Sequence, residues 1–166
     1  NIHQSKGQVG HNSRPALPFE LDNNGYIAGE DLKPGYAVYK SEHGFYEIPP
    51  IKHELSTIGV VHYRPQSINT RYAKRTDNNP GEIIIKMGDP FEVMLAGHIY
   101  VCVGEKVQKG LPAMFDKDKK LWKAVPDSDG STPLFNNPMF FEENGEAGDI
   151  VSLRINGQIA KAKVSK

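Results

Sequence analysis

The chain has 166 residues, which is long enough for one domain with its own hydrophobic core. Its 20 lysines and arginines balance its 20 aspartates and glutamates, so no overall field draws it toward nucleic acid or an anionic membrane. One cysteine excludes an intrachain disulfide framework and a multi-cysteine metal site. No apolar run approaches the roughly 18 residues of a membrane span, and we therefore expect neither nucleic acid nor a membrane as a partner.

The first residues of the chain are polar, and their few apolar side chains follow neither helical nor strand spacing. Because such a segment cannot offset its own ordering entropy, we predict an extended amino-terminal arm over residues 1–24 that is mobile on its own. Two interpretations stay open: a mobile terminus, or an arm that orders against a neighbouring subunit with Leu17, Phe19 and Leu21 as anchors. Residues 25–166 are predicted to form one β-rich domain.

Short strands separated by turns are predicted for the part of the chain that follows the arm. Pro34-Gly35 suits a type II turn, because proline fixes its own φ and glycine supplies the positive φ that follows. The alternating residues after this turn predict a strand, and residues 45–48 predict another after a turn at His43-Gly44. A third strand is predicted within residues 57–63.

Residues 64–81 form the longest stretch without a strand pattern, and loops of this length are usually functional or disordered. Arg64, Arg71, Tyr72 and Arg75 give the loop a basic and aromatic character. Such residues also occur together in nucleic-acid-binding sites, but the chain is neutral overall and has no RNA-binding motif. A solvated loop, or a basic contact with an acidic protein surface, is therefore the favoured interpretation.

The strongest β pattern lies near the middle of the chain. Apolar side chains alternate over residues 91–95 and again over residues 99–103, with Ala96-Gly97 between them. Since glycine adopts positive φ without penalty, we predict two strands joined by a tight hairpin at this pair. Cys102 falls inside the apolar stretch and is predicted to be a buried, unreactive thiol.

The carboxyl-terminal half predicts more strands and no helix of ordinary length. The pattern apolar-x-x-Gly-apolar occurs within residues 32–39 and recurs within residues 107–114, each time before a strand. Two such turn-and-strand units are typical of a small barrel or a clip-like β-fold with pseudo-symmetry. Strands are predicted within residues 107–115, 121–125, 139–141 and 150–155.

Catalytic and metal-binding motifs are missing from the sequence. The six histidines are irregularly spaced, without His-x-His, His-Glu-x-x-His or a cysteine pair. The sequence also lacks a Gly-x-Ser-x-Gly elbow and a glycine-rich phosphate loop before a helix. We therefore predict a protein that is not an enzyme and that has no catalytic residues, no cofactor and no metal.

The order of these turn-and-strand patterns is similar to that of the structural cement (head decoration) proteins of tailed bacteriophages. In that family a Gly-x-Val strand, a Val-x-Gly-x-Pro-Val turn and a late Gly-Asp-x-x-x-Val strand recur in this order. The resemblance covers residues 25–157 and rests on order and spacing rather than on any single motif. The stretches that carry it are Gly35-Tyr36-Ala37-Val38, Thr57-Ile58-Gly59-Val60-Val61, residues 88–103, residues 107–115 and residues 147–157.

The resemblance implies an all-β fold, with a small β-barrel or β-sandwich body (tulip-like or jelly-roll-like) and the extended arm. It implies a non-enzymatic protein of the virion that binds the outer surface of the assembled capsid and bridges neighbouring capsid subunits. The implied partners are the major capsid protein and further copies of the chain, with a trimer favoured over a dimer. We assign the contacts to the arm anchors and to the four basic and aromatic loop residues.

An alternative function stays open. The turn at Asp31-Leu32-Lys33-Pro34-Gly35 resembles that of SAF-like, clip-type β-domains. A domain of that type would bind a carbohydrate or another small ligand. Measuring the mass of the protein in solution and screening it against glycans would separate the two interpretations.

Overall fold

The computed structural model describes residues 7–15, 21–22, 25–63, 83–126 and 135–156. In these parts the helical structure is one 3-10 segment, Ile51–Ser56, and no helix there is long and apolar enough to cross a membrane. The strands that lie in these parts are short: β1 (Leu21–Asp22), β2 (Ala37–Lys40), β3 (Tyr46–Glu47), β4 (Gly59–His62), β5 (Glu92–Met94), β6 (Ala96–Cys102), β7 (Ala113–Asp116), β8 (Leu121–Ala124), β9 (Met139–Phe141) and β10 (Ile150–Asn156).

The described strands form antiparallel sheets. One sheet has the order β1-β5-β4-β2-β3, a second has the order β6-β10-β9, and β7 pairs with β8. The prediction of a mostly β chain is confirmed. None of these sheets closes into a barrel, so the barrel or sandwich body predicted from the sequence is not confirmed.

The central hairpin prediction is wrong. Within the described strands β5 pairs with β1 and β4, whereas β6 pairs with β10, so the chain changes sheets at Leu95 instead of folding back. Gly97 has a φ of 115° and lies inside β6 opposite Ile155. Period-2 alternation looks the same whether a chain reverses or continues into another sheet, because it records burial and not the identity of the pairing strand.

A buried amide completes the backbone hydrogen bonds at this change of sheet. The side-chain nitrogen of Asn137 donates to Ile58 O at 2.7 Å and to Leu95 O at 2.9 Å. Both carbonyls lie just outside the strands, where the regular ladder does not satisfy them. Because an unpaired buried carbonyl is costly, Asn137 stabilises the corner.

The predicted type II turn at Pro34-Gly35 is confirmed. Gly35 has a φ of 93°, and Tyr36 N donates to Lys33 O at 3.1 Å. Gly35 N also donates to Val61 O at 2.8 Å, which ties the turn to β4. The strand predicted after the turn is β2, and the strand predicted at residues 45–48 is β3, which pairs with it.

The turn-and-strand pattern that recurs in the sequence belongs to a larger repeat, which covers the described chain after the first residues. Leu32 and Ile85 exchange two backbone hydrogen bonds of 2.8 Å, and Val107 and Gly145 exchange two of 2.9 and 3.0 Å. Each of the four residues is followed three positions later by a glycine with positive φ: Gly35, Gly88, Gly110 and Gly148. We call residues 21–94 the first repeat and residues 98–155 the second repeat.

The strand pairings of the two repeats correspond. The β4–β5 pair, with Val61 opposite Val93, matches the β9–β10 pair, with Phe141 opposite Leu153. The β2–β3 and β7–β8 ribbons match as well, and each is joined to its repeat by a parallel bridge. The bridges connect Ala28 with Tyr46 and Val103 with Trp122. The two repeats therefore have corresponding strand pairings.

One hydrophobic cluster contains buried residues from both repeats. Trp122 on β8 is almost fully buried, and its indole nitrogen donates to Gly35 O in the first repeat at 2.8 Å. Buried indole groups need such a partner, because a lost hydrogen bond inside a core is costly. Trp122 thus joins the two repeats by packing and by a specific hydrogen bond.

Candidate functional site

Most of the contact residues predicted from the sequence lie outside the described residues. These are Leu17, Phe19, Arg64, Arg71, Tyr72 and Arg75. The backbone of Leu21 is described: it begins β1 and pairs with Met94 at the edge of the first sheet. The assignment of these side chains to contacts with other proteins stays a prediction.

Residues 7–15, which we call the amino-terminal strap, lie along the edge of β6. Gly10 N donates to Tyr100 O, and Tyr100 N donates to His11 O, both at 2.9 Å. On the other side of the strap, Tyr63 N donates to Gly10 O at 2.9 Å, directly after β4. The strap therefore adds backbone hydrogen bonds to both repeats at once.

A buried histidine–carboxylate pair holds the strap to the first repeat. Nδ1 of His62 lies 2.7 Å from Oε1 of Glu92, and Nε2 lies 2.9 Å from Oδ1 of Asn12 in the strap. The Asn12 amide is oriented by its own donation to Arg14 O at 2.9 Å. An acceptor oxygen therefore faces each of the two ring nitrogens of His62, and the ring links the strap to β5.

A second histidine–carboxylate group holds the strap to the second repeat. Nδ1 of His98 lies 2.9 Å from Oε2 of Glu142, and the Ser152 hydroxyl donates to Oε1 at 2.6 Å. The hydroxyls of Ser13 and Ser152 are 2.6 Å apart. Because the Ser152 proton points to Glu142, Ser13 is the donor in that contact.

The pKa of Glu142 reflects this environment. Burial alone would raise the pKa, but hydrogen bonds from Ser152 and His98, together with the nearby charges of His98 and Arg14, outweigh burial. The pKa of Glu142 therefore lies below its ordinary value, and the carboxylate stays charged at neutral pH.

The two groups occupy equivalent positions in the repeats. His62 lies opposite Glu92 on the β4–β5 pair. Glu142 N, one residue beyond β9, donates to Ser152 O on β10 at 2.9 Å, which is the same position on the β9–β10 pair. The strap thus contacts one polar pair in each repeat, with Asn12 at the first pair and Ser13 at the second.

An aromatic contact lies beside the strap. The ring of His11 stacks on Tyr63 with centroids 4.4 Å apart and planes 12° apart. Burial lowers the pKa of His11, and the neighbouring His62 lowers it further. His11 is therefore held in its neutral form, which suits a ring packed against a tyrosine face.

A cleft of about 570 Å³ opens between the strap, the Lys33–Tyr36 turn and the β7–β8 ribbon. The described residues that line it include the apolar and aromatic side chains of Tyr36, Tyr63 and Phe115. Lys33 and Lys120 add positive charge, and no acidic side chain occurs among the described lining residues. The cleft is a space that a small ligand of the clip-type alternative would enter.

The described parts contain few groups that could bind a metal ion or act as a nucleophile. Among the described residues, no group of three or more histidine, cysteine, aspartate or glutamate side chains is placed to hold a metal ion. Cys102 is half-buried, where it was predicted to be buried. Burial and the nearby Asp149 raise its pKa, which keeps the thiol protonated, as an unreactive cysteine requires.

The polar groups beneath the strap were not identified from the sequence. His62 meets Glu92 only through the register of β4 on β5. Asn12 reaches this pair across a separation of 50 residues. No local spacing signals either contact, because each depends on pairing between distant segments.

Comparison with known proteins gives one clear result. The model of the family described as structural cement protein (E217 gp24/Pam3 gp6) matches residues 1–156 of the chain. A search of curated proteins finds no match. The matched range includes the strap, both repeats and the stretches that contain every predicted contact residue.

Proposed function

Because the chain belongs to the family of phage structural cement proteins, we propose that it binds the outer surface of the assembled capsid and bridges neighbouring capsid subunits. The resemblance seen in the sequence is confirmed at the level of the family, and with it a structural, capsid-stabilising role in the virion. The family match is the observation that carries the proposal.

Linkage explains how binding would stabilise a shell. A protein that binds the intact shell and not the loosened one stabilises it by RT ln(1 + [L]/Kd), about 2.7 kcal/mol per site at a hundredfold excess over Kd. A homo-oligomer that touches several capsid subunits gains avidity beyond each single contact. Modest individual contacts are therefore enough for a cement protein.

The proposed arm contacts are compatible with the strap. Leu17 and Phe19 lie in the short stretch between the strap, which ends at residue 15, and β1, which begins at Leu21. Both ends of this stretch are hydrogen-bonded to the body. Anchors presented from a stretch held at both ends lose less conformational entropy on binding than anchors on a free tail.

The experiment compares shells with and without the protein. We expect shells that lack it to release DNA at a lower temperature, and added purified protein to restore the release temperature. Cryo-electron microscopy of the restored shells should show density on the outer surface across the joints between capsid subunits. Density inside the shell, or an unchanged release temperature, would contradict the proposal.

The clip-type alternative makes a different prediction. It requires saturable binding of a carbohydrate or another small ligand, for which the cleft beside the strap offers about 570 Å³. A glycan-binding screen with the purified chain tests this directly. Saturable sugar binding by a monomer that ignores capsids would favour the alternative over the cement role.

A further inference from the structure

The 3-10 segment Ile51–Ser56 carries an unusual apolar surface. None of its residues is buried. Ile51 is 70% exposed and Leu55 is 43% exposed, although both have large aliphatic side chains. Exposed apolar side chains clustered on one short segment are a feature of protein–protein contact surfaces.

A groove lies directly beside these side chains. It has a volume of about 430 Å³, and its apolar walls include Met114, Val125 and Phe135 together with Ile51 and Leu55. The segment is fixed to the far wall, because Asn136 N donates to Leu55 O at 2.9 Å. The projecting side chains and the groove therefore belong to one surface, which we call the Ile51 patch.

The charges around the Ile51 patch have both signs. Glu54, Asp116 and Asp118 are acidic, and Lys117 and Lys123 are basic. Asp116 and Lys123 already form an ion pair of 3.9 Å, which leaves Glu54 and Asp118 as acidic groups and Lys117 as a basic group on the rim. A rim with both signs around an apolar centre is complementary to itself.

We propose that the Ile51 patch is a two-fold interface between two copies of this chain. In a two-fold contact residue i meets residue j and residue j meets residue i, so one surface must carry both the projecting group and the groove that receives it. The Ile51 patch meets this requirement: Ile51 of each copy enters the groove of the other. A ring with heterologous contacts would instead need the two features on different faces.

This inference concerns the free protein and goes beyond the proposed attachment to capsids. It chooses a dimer contact over the trimer that the sequence resemblance favoured. The oligomer in solution and the stabilisation of shells are separate measurements. The failure of one can therefore be told apart from the failure of the other.

The test is the mass of the full chain in solution. For wild type we expect a dimer of about 37 kDa, twice the chain mass of 18.4 kDa. In Ile51→Glu a charge would have to enter an apolar groove, so we expect the dissociation constant to rise at least a hundredfold. Met87→Glu is the matched control, because Met87 is 67% exposed and lies outside the groove lining; it should leave the dimer intact.

A photo-crosslinking residue at position 51 tests the geometry independently of dimer strength. We expect crosslinks between chains that map to the groove walls at Met114 and Val125. A monomeric wild type at tens of micromolar, a trimer, or a dimer that survives Ile51→Glu would overturn the proposal. So would crosslinks confined to one chain, since the patch would then be covered by its own chain.

Discussion

At the scale of single residues, substitutions are expected to affect stability most at the polar groups beneath the strap. A buried ion pair adds little net stability when intact, because desolvation offsets much of the attraction between its charges. Removing one partner is different, since the other charge is left buried and uncompensated. The pair of His62 and Glu92, both nearly inaccessible to solvent, is in this situation.

Glu92→Gln should destabilise the fold strongly. The substitution keeps the size of the side chain but replaces the buried carboxylate that faces Nδ1 of His62 with a neutral amide, and losses of about 3–5 kcal/mol follow from removing one member of a buried pair. Urea unfolding measures the free energy of unfolding. Glu105→Gln is the control, because Glu105 is exposed and its loss should cost less than about 0.5 kcal/mol. Equal costs for the two variants would show that the contact between His62 and Glu92 does not stabilise the fold.

Acid should weaken the attachment of the strap. The folded pKa of Glu142 lies below its ordinary value of 4.5, so its contribution is complete above pH 4.5 and is lost as pH falls through the folded pKa. The pKa of His11 is also lowered, from 6.5, so the unfolded chain takes up this proton first and stability falls as pH drops below 6.5.

Both effects have the same sign and can be measured together. Hydrogen exchange at the Gly10 and Ser13 amides, corrected for intrinsic rates, should show protection that decreases on acidification. Glu142→Gln should remove the part of the decrease below pH 4.5 and leave the part that begins near pH 6.5. A variant profile that still follows wild type below pH 4.5 would rule out Glu142 as the titrating group.

At the scale of elements, the repeats provide matched positions for testing a turn. Gly35 and Gly110 are equivalent turn glycines with φ values of 93° and 92°. A methyl group added at Gly35 would collide with Cγ1 of Val9 in the strap, whereas no described atom lies within 4 Å of one added at Gly110. The two positions therefore share the same backbone strain and differ in the contact with the strap.

Gly35→Ala should be clearly more destabilising than Gly110→Ala. Positive φ at a non-glycine residue costs about 1–3 kcal/mol, and this applies to both variants. The collision with Val9 adds about 1–3 kcal/mol of overpacking at position 35. Thermal or urea unfolding of the two variants measures the difference. If the two costs are equal, the strap does not pack against the Lys33–Tyr36 turn in solution.

The elements also show what a sequence can predict. The type II turn and β2 were predicted correctly, because proline, glycine and alternation act locally. The hairpin at Ala96-Gly97 was wrong, because the choice of partner for β5 and β6 depends on segments far away in the chain. The candidate site depends on the same long-range pairing: Asn12, His62 and Glu92 become neighbours only once both repeats are assembled.

At the scale of the whole molecule, the two repeats keep one backbone but differ in side chains. The turn glycines recur, as does the aspartate that follows the glycine in Gly88-Asp89 and Gly148-Asp149. The polar pairs beneath the strap have diverged, with a histidine and a glutamate in the first repeat and a glutamate and a serine in the second. The backbone pattern is therefore shared, whereas the surfaces available to partners differ between repeats.

Residues 64–81 are rich in arginine although the chain as a whole carries no net charge. The chain is neutral, so long-range attraction to a capsid cannot come from its total charge. Local attraction within a Debye length of about 8 Å at physiological salt can come from the charges of Arg64, Arg71 and Arg75. If these side chains contact an acidic capsid surface, attachment must weaken as salt rises.

Replacing the three arginines by glutamine should therefore lower the affinity for shells and flatten its salt dependence. Exposed ion pairs contribute about 0–1 kcal/mol each, so we expect roughly a tenfold loss of affinity at low salt and little further loss at high salt. Shell co-sedimentation from low to high salt measures both quantities. Replacing the exposed Lys40, Lys106 and Lys109 removes the same number of charges elsewhere. If this control loses affinity equally, attachment responds to net charge, and the loop makes no specific contact.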